Sequence, residues 1–199
     1  MDQYITIGDS AVAEFKDRGS KFLAYTFPIS TVDDFKNQLQ FVKKEHPKAT
    51  HYCFAYRIGA DGSHFRTSDA GEPSGTAGRP ILGQIDSKNL TNILIIVVRY
   101  FGGTLLGVPG LIKAYKTVSS LVLQCTPAIR KEVLVHYQLQ FNYTEIDEVM
   151  RVLKQYNCSV LKSDMQLFCK METGIPVIKI DEVITALKNI KNMELHSLN

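Results

Sequence analysis

Two acidic residues and one arginine stand beside glycine-rich stretches, where binding and catalytic side chains are often carried. Asp69 and Glu72 lie in the segment 68–80, which contains three glycines and two prolines, and Arg99 follows an aliphatic run. Loops held by a rigid scaffold are common places for such residues to act. The three charges could be catalytic groups, or buried charge partners that fix two loops. Paired structural charges are the more common case.

The glycines around these charges indicate loops whose shape is set by the backbone. They are Gly71, Gly75 and Gly78 in the first loop, and Gly102, Gly103, Gly107 and Gly110 after the aliphatic run. A strand, a glycine loop and a helix in succession can aim free backbone amides at a phosphate. The pattern is no Walker A loop, because Val108 stands where a lysine must follow Gly107. The alternative is a tight connection that uses glycine for its positive φ angles.

Two familiar site patterns are incomplete in this stretch. A nucleophile elbow around Ser74 needs a glycine two positions earlier, where Glu72 stands, so a hydrolytic triad with His64 is not predicted. His51 and Cys53 can share one face of a strand, but no third or fourth ligand is evident. We therefore predict no metal and no cofactor, and assign no catalytic residue.

Basic residues concentrate in the same part of the chain. Residues 66–116 carry six Lys and Arg against three Asp and Glu, so their excess of three equals the net charge of +3 for all 199 residues. This indicates an anionic partner, although three charges can also be scatter. Two aromatic residues beside Arg99 could stack on bases or on a partner, or could cap a strand as core aromatics. The candidate binding residues are Arg66, Arg79, Arg99, Tyr100, Phe101, Lys113 and Lys116.

Apolar periodicity predicts an N-terminal α/β domain around these loops. Strands are predicted at 20–29, 52–58, 64–67 and 93–98, with helices after 31, at 81–87 and at 111–123. Thr31 and Asp34 have the spacing of a capping box for the first helix. In the last helix, Leu111, Ile112, Tyr115, Ser119 and Val122 are predicted to face inward.

The residues after Pro127 predict a second, smaller domain. Alternation at 133–141 predicts a half-buried strand, and Thr144 with Asp147 suggests a second capping box. A hairpin over 160–171 turning near Ser163-Asp164, a helix from Asp181 and a strand at 193–198 complete the order βαββαβ. That order is ferredoxin-like. The predicted fold class is α+β, with domains 1–128 and 129–199.

Composition and cysteine spacing indicate the cellular compartment in which the protein is expected. The hydrophobic fraction is 45% and the charged fraction 22%, which are ordinary globular values. The longest aliphatic run has six residues, far short of the ~20 of a membrane span. The cysteines, Cys53, Cys125, Cys158 and Cys169, form no C-x-x-C pair. With no apolar leader after Met1, we expect a cytoplasmic protein with no membrane association.

The loop residues resemble a known signature. Asp69-x-Gly71-Glu72-Pro73-x-x-Thr76-Ala77-Gly78-x-Pro80, followed by 97–103, Leu106-Gly107 and Ala114-Tyr115, closely resembles the YigZ/IMPACT family over about 16–126. Pro109 departs from bacterial relatives, which often carry glycine there. The resemblance implies a ribosomal-protein-type α/β sandwich domain followed by a ferredoxin-like domain. It also implies a link to translation, which eukaryotic relatives regulate during amino-acid starvation. The resemblance implies no catalytic residue for this chain.

Two hypotheses of different class remain open. In the first, the chain is a translation-linked binding protein that contacts ribosome, RNA or a translation factor through the surface 66–116. In the second, it is an enzyme acting on a small phosphorylated or peptide substrate at the Glu72/Arg99 loops. A basic groove with exposed Tyr100 or Phe101 would favour the first. Convergence of Asp69, Glu72 and Arg99 in a closed pocket would favour the second. The oligomeric state is left open.

Overall fold

A computed structural model describes residues 1–198 and confirms the α+β class. Its contacts divide the chain into two compact units. One is Tyr4–Lys131, and the other joins Met1–Gln3 to the residues from Glu132 onward. The predicted junction at 128–129 lies three positions before this division.

The first unit is built on a five-stranded sheet. Its elements are β1 (Gln3–Ile7), β2 (Ala11–Asp17), β3 (Ser20–Pro28), α1 (Val32–Glu45), β4 (His51–Ile58), β5 (His64–Ser68), α2 (Gly78–Asp86), β6 (Ile93–Tyr100), α3 (Gly107–Gln124) and β7 (Ala128–Glu132). The sheet order is β2-β3-β6-β4-β5, and each neighbouring pair is antiparallel. A separate two-stranded sheet joins β1 to β7.

The central strand β6 explains why helices cover both faces of this sheet. Ile93, Ile95 and Val97 pack with α2 and α3, whereas the alternate residues Leu94 and Ile96 pack with α1. Such a strand is apolar on both sides because neither side meets water. Side-chain alternation therefore assigns each residue near the end of β6 to one helical layer.

The predicted capping box at the start of α1 is confirmed. The Thr31 hydroxyl accepts the Asp34 backbone N–H at 3.0 Å, and the Asp34 carboxylate accepts the Thr31 backbone N–H at 2.9 Å. Phe35 and Val42 are buried on the inner side of the helix, as their spacing predicts. This helix starts where its local chemistry places it.

The predicted start of α3 is wrong by four residues. The helix begins at Gly107, so the residues expected to form its preceding loop make its first turn. Pro109 is tolerated there because the first turn has no intrahelical partner for its missing N–H. The predicted inner face also needs correction, since Ile112 is 39% exposed and Ala114 and Val118 are buried instead.

The second unit has the predicted ferredoxin-like topology. Its elements are β8 (Leu134–Asn142), α4 (Ile146–Gln155), β9 (Ser159–Asp164), β10 (Phe168–Pro176), α5 (Ile180–Lys188) and β11 (Glu194–Ser197). The antiparallel sheet order is β11-β8-β10-β9. Residues of both helices, including Val149 and Val183, share a core with Leu139 and Met171.

The predicted second capping box does not form. A 3-10 turn, Tyr143–Glu145, precedes α4, and the helix has no side-chain cap. The Thr144 hydroxyl donates to the Glu145 carboxylate instead. The hairpin between β9 and β10 turns after Asp164, slightly later than predicted. Within residues 1–198, no helix is both long and apolar enough to cross a bilayer.

Candidate functional site

The carboxylate of Asp69 organises the loop that leads into α2. It accepts backbone N–H groups from Gly75 at 2.9 Å, Ala77 at 3.0 Å and Gly78 at 2.8 Å. Burial disfavours ionisation of this carboxyl, but the three hydrogen bonds outweigh it and lower its pKa. Asp69 thus caps the N-terminus of α2, which has no cap from its own N-cap residue Ala77.

The glycines of both loops allow backbone conformations and close approaches that a residue with a Cβ would hinder. Gly102 is the tightest position, because a Cβ there would lie 1.9 Å from the Gly19 carbonyl carbon. At Gly78 a Cβ would lie 2.9 Å from the Ser68 backbone nitrogen, so α2 can approach β5 closely. The remaining predicted loop glycines have positive φ angles or close neighbours: Gly71, Gly75, Gly103 and Gly107 for φ, and Gly110 against the Leu106 Cβ at 3.0 Å.

Glu72 and Arg99 form a buried ion pair between the two loops. The Arg99 Nη1 donates to the Glu72 Oε1 at 2.7 Å, and their side chains are 6% and 4% exposed. The Tyr115 hydroxyl donates to the same oxygen at 2.7 Å. Arg99 also donates to the Ser20 hydroxyl at 3.3 Å. Of the two acids proposed as partners for Arg99, Glu72 pairs with it and Asp69 does not.

Two groups beside this ion pair, the Cys53 thiol and the Tyr115 hydroxyl, are unsuited to acid–base or nucleophilic roles. A third group, the His51 imidazole, has its Nε2 3.9 Å from the Glu72 Oε1. The Cys53 thiol lies 3.0 Å from the Asp69 carbonyl oxygen and 3.3 Å from the Tyr115 hydroxyl. Burial raises the pKa of Cys53 to about 12, although the bond to Tyr115 opposes the shift. Burial also raises the pKa of Tyr115 far above its ordinary range. Cys53 and Tyr115 stay protonated at neutral pH, so neither offers an anionic nucleophile or base. Their contacts instead hold the loops together.

Strand alternation separates the two aromatic residues that follow Arg99. Tyr100 packs with the α1 side of the sheet, and its hydroxyl lies 2.9 Å from the His46 Nδ1. Phe101 is 48% exposed, and its ring centroid lies 5.6 Å from the Arg99 Cζ. Of the pair, Phe101 is therefore available to a partner.

The predicted basic residues are also divided. Lys113 and Lys116 are exposed on α3, and Arg79 is exposed on α2. Arg66 pairs in register with Tyr56, which belongs to the α1 side, and its guanidinium lies 6.0 Å from the Phe54 ring centroid. Arg66 therefore faces away from the α3 layer. Arg99 is buried and serves the ion pair.

An exposed apolar surface at the start of α3 was not predicted from the sequence. Four residues make up what we call the α3 ridge: Phe101 at 48% exposure, Leu105 at 82%, Val108 at 51% and Ile112 at 39%. The sequence feature that could have indicated this surface is the unusual density of apolar residues among glycines. The exposed Arg18 was missed as well, and its turn reaches Gly102 through Gly19. No group of three or more metal-ligating side chains occurs in the described part of the chain.

Comparison with known proteins places this architecture in a family. The Impact N-terminal domain matches residues 18–123, more than half of the chain. The IMPACT family member YigZ of Escherichia coli strain K12 is 34% identical over 181 residues, covering 90% of this chain and 89% of that protein. Protein IMPACT of Rattus norvegicus is 33% identical over 98 residues, covering 48% and 31%. A crystal structure described as a hypothetical protein superposes with a TM-score of 0.78 at 30% identity, covering 100% and 98%. The chain therefore belongs to the IMPACT family.

Proposed function

We propose that this protein is a translation-linked regulatory binding protein. It contacts a component of the translation apparatus, whether ribosome, RNA or factor, through the surface of residues 101–116. The exposure of the α3 ridge beside Lys113 and Lys116 carries this proposal. Membership of the IMPACT family supports the link to translation. A cytoplasmic location is part of the same proposal.

The buried cluster supports a binding role by fixing the surface above it. The Glu72–Arg99 pair ties the loop before α2 to the end of β6, and Tyr115 ties both to α3. Gly102 packs against the turn at Gly19. A surface held from several elements loses little conformational entropy when it binds. We infer that the resemblance in these loops reflects the need for a rigid platform.

The enzyme hypothesis gains no support from the same geometry. Glu72 and Arg99 do converge, but they neutralise one another, and Asp69 is committed to three backbone N–H groups. The Cys53 thiol has a pKa of about 12 and offers no thiolate near neutral pH. The exposed residues of the α3 ridge and the two lysines beside it are apolar or basic, and they suit recognition better than proton transfer.

A pull-down experiment tests the proposal. The tagged full-length protein is mixed with a translation-competent extract at low and high salt, with and without nuclease. Retained proteins and RNA are then identified. We expect a ribosomal component or translation factor to be retained by the wild type and lost with Phe101→Ser/Leu105→Ser. Phe41→Ser, at a 49% exposed apolar position on α1, is the matched control. Retention of no translation component, even at low ionic strength, would overturn the proposal.

A further inference from the structure

The α3 helix carries apolar side chains on two faces. Leu111, Ala114 and Val118 face the core, whereas Val108 and Ile112 are 51% and 39% exposed on another side. Leu105 and Leu106 are adjacent, yet the first is 82% exposed and the second 7%. A surface helix of a globular protein normally presents polar residues on its outer face. The outer face of α3 thus departs from that pattern over its first turns.

The outer face has a defined direction. Val108, Ile112 and Lys116 are spaced four residues apart, so they form one stripe along the helix. The stripe extends over ~12 Å, given a rise of about 1.5 Å per residue. It begins with apolar side chains next to Leu105 and ends at a lysine, with Lys113 one turn before. A ligand that covered the whole stripe would contact apolar side chains at its start and ammonium groups toward its end.

The charged side chains in the segment 101–131, which contains α3, are all basic. From Phe101 to Lys131 there is no Asp or Glu. The first turn of α3 contains no acid, and no side chain caps its N-terminus. Glu72 is buried against Arg99, and Asp69 is saturated by backbone N–H groups. Carboxylates on a partner would face lysines that have no acidic neighbour on their own helix.

Resting on the proposed function, we infer that the α3 ridge docks a protein segment with apolar anchors at one end and carboxylates at the other. Three of the four ridge residues are aliphatic, and they offer no ring face on which a base can stack. Phosphates would pair with the lysines but leave Leu105, Val108 and Ile112 in water. A protein segment buries the apolar side chains and pairs the lysines together.

A peptide-display selection tests this inference without a known partner. The full-length protein is the bait for random peptides about 16 residues long, enough for roughly 24 Å of helix. Binding of each selected peptide, and of poly(U) RNA, is then mapped by amide shifts. We expect peptides that combine apolar and acidic residues and that shift amides of residues 101–116. Selection of peptides without acids, shifts elsewhere, or no enrichment would overturn the inference, as would poly(U) binding the ridge more tightly than every selected peptide.

Matched variants separate the two parts of the surface. Ile112→Ala should weaken a selected peptide by roughly 5- to 20-fold, as expected for a contact near the centre of an interface. Lys113→Ala/Lys116→Ala should weaken it by about 3- to 10-fold and reduce its salt dependence. Phe41→Ala, at a 49% exposed position on α1, should leave affinity unchanged. Equal loss in all three variants, or none, would contradict the inference.

The two proposals fail in different ways. If acidic apolar peptides bind the α3 ridge but the extract yields no translation component, the docking inference stands and the translation link falls. If a translation component is retained only through nuclease-sensitive RNA, with a log–log salt slope near −2 to −4 for about 3–4 phosphates, the function stands and the protein-partner inference falls.

Discussion

The Arg99 guanidinium and the Glu72 carboxylate lie 2.7 Å apart, joined across 27 positions of sequence. Arg99 is the penultimate residue of β6, and Glu72 lies in the loop that precedes α2. Tyr115, from α3, donates to the same carboxylate oxygen, so three segments meet at one atom. The Arg99 Nε is buried and has no protein partner among the described residues. The position of both loops therefore depends on this pair.

Removing the arginine should destabilise the protein strongly. Arg99→Ala leaves the Glu72 carboxylate buried without its cation, and we expect a loss of ~3–5 kcal/mol in the free energy of unfolding. Lys88→Ala, at an exposed position, should change it by less than ~0.5 kcal/mol. Denaturant titration measures both. A change as small for Arg99→Ala as for the control would mean that the ion pair is solvated.

A methyl group at Gly102 should not be accommodated. The added Cβ would overlap the backbone of Gly19 at 1.9 Å, so Gly102→Ala should cost more than about 3 kcal/mol. Gly83, inside α2, has no atom within 4 Å of its added Cβ. Gly83→Ala should therefore stabilise the protein by about 0.5–1 kcal/mol through helix propensity. Thermal unfolding of both variants compares them, and equal stability would contradict the close approach of the two glycines.

The stability contributed by Asp69 should depend on pH. Its pKa is lower in the folded protein than its ordinary value of about 3.9, so its contribution is complete above that value. The contribution is lost as the pH falls through the lower, folded pKa. Asp69→Asn should cost ~1–2 kcal/mol at neutral pH, and this difference should shrink in acid. Unfolding curves across the acid range measure it, and a difference independent of pH would exclude a role for the charge.

The cysteines should differ in reactivity. With a pKa of about 12 and no exposed surface, the native Cys53 thiol should resist alkylation near pH 8, where its thiolate fraction is on the order of 10⁻⁴. The exposed Cys125 should react readily. Mass spectrometry after a short pulse of iodoacetamide distinguishes the sites, and a denatured sample is the control. Fast modification of native Cys53 would indicate an open, activated thiol.

Each unit should fold without the other. The two units have separate clusters of buried apolar residues, which is the property expected of independent domains. Fragments 4–131 and 132–199 should each give a dispersed amide spectrum that matches part of the spectrum of the full chain. The fragment 1–128 lacks most of β7, the partner of β1, and should be less stable than a fragment that ends at 133. Loss of dispersion in both fragments would show that folding is coupled.

Local chemistry explains which elements could be predicted. The capping box at Thr31 and the aliphatic run of β6 are complete signals within a few residues. The strands β1, β2 and β7, which are partly exposed at the margins of sheets, went unpredicted. The capping box at Thr144 failed because the 3-10 turn redirected its hydroxyl to Glu145. Motif spacing makes a capping box possible, but the backbone decides whether it forms.

The family resemblance, the α+β class and the loops in which charges and glycines concentrate can all be read from the order of the residues. The role of each charge, in contrast, depends on long-range packing. Arg66 and Lys113 have the same sign, but the pleat of β5 turns Arg66 to the α1 side and helix phase turns Lys113 outward on the opposite layer. Arg99 is withdrawn from any binding surface because Glu72, distant in sequence, meets it in the interior. The exposure of the α3 ridge could not be predicted for the same reason. Residue type predicts burial on average, whereas long-range packing determines which apolar side chains remain in water.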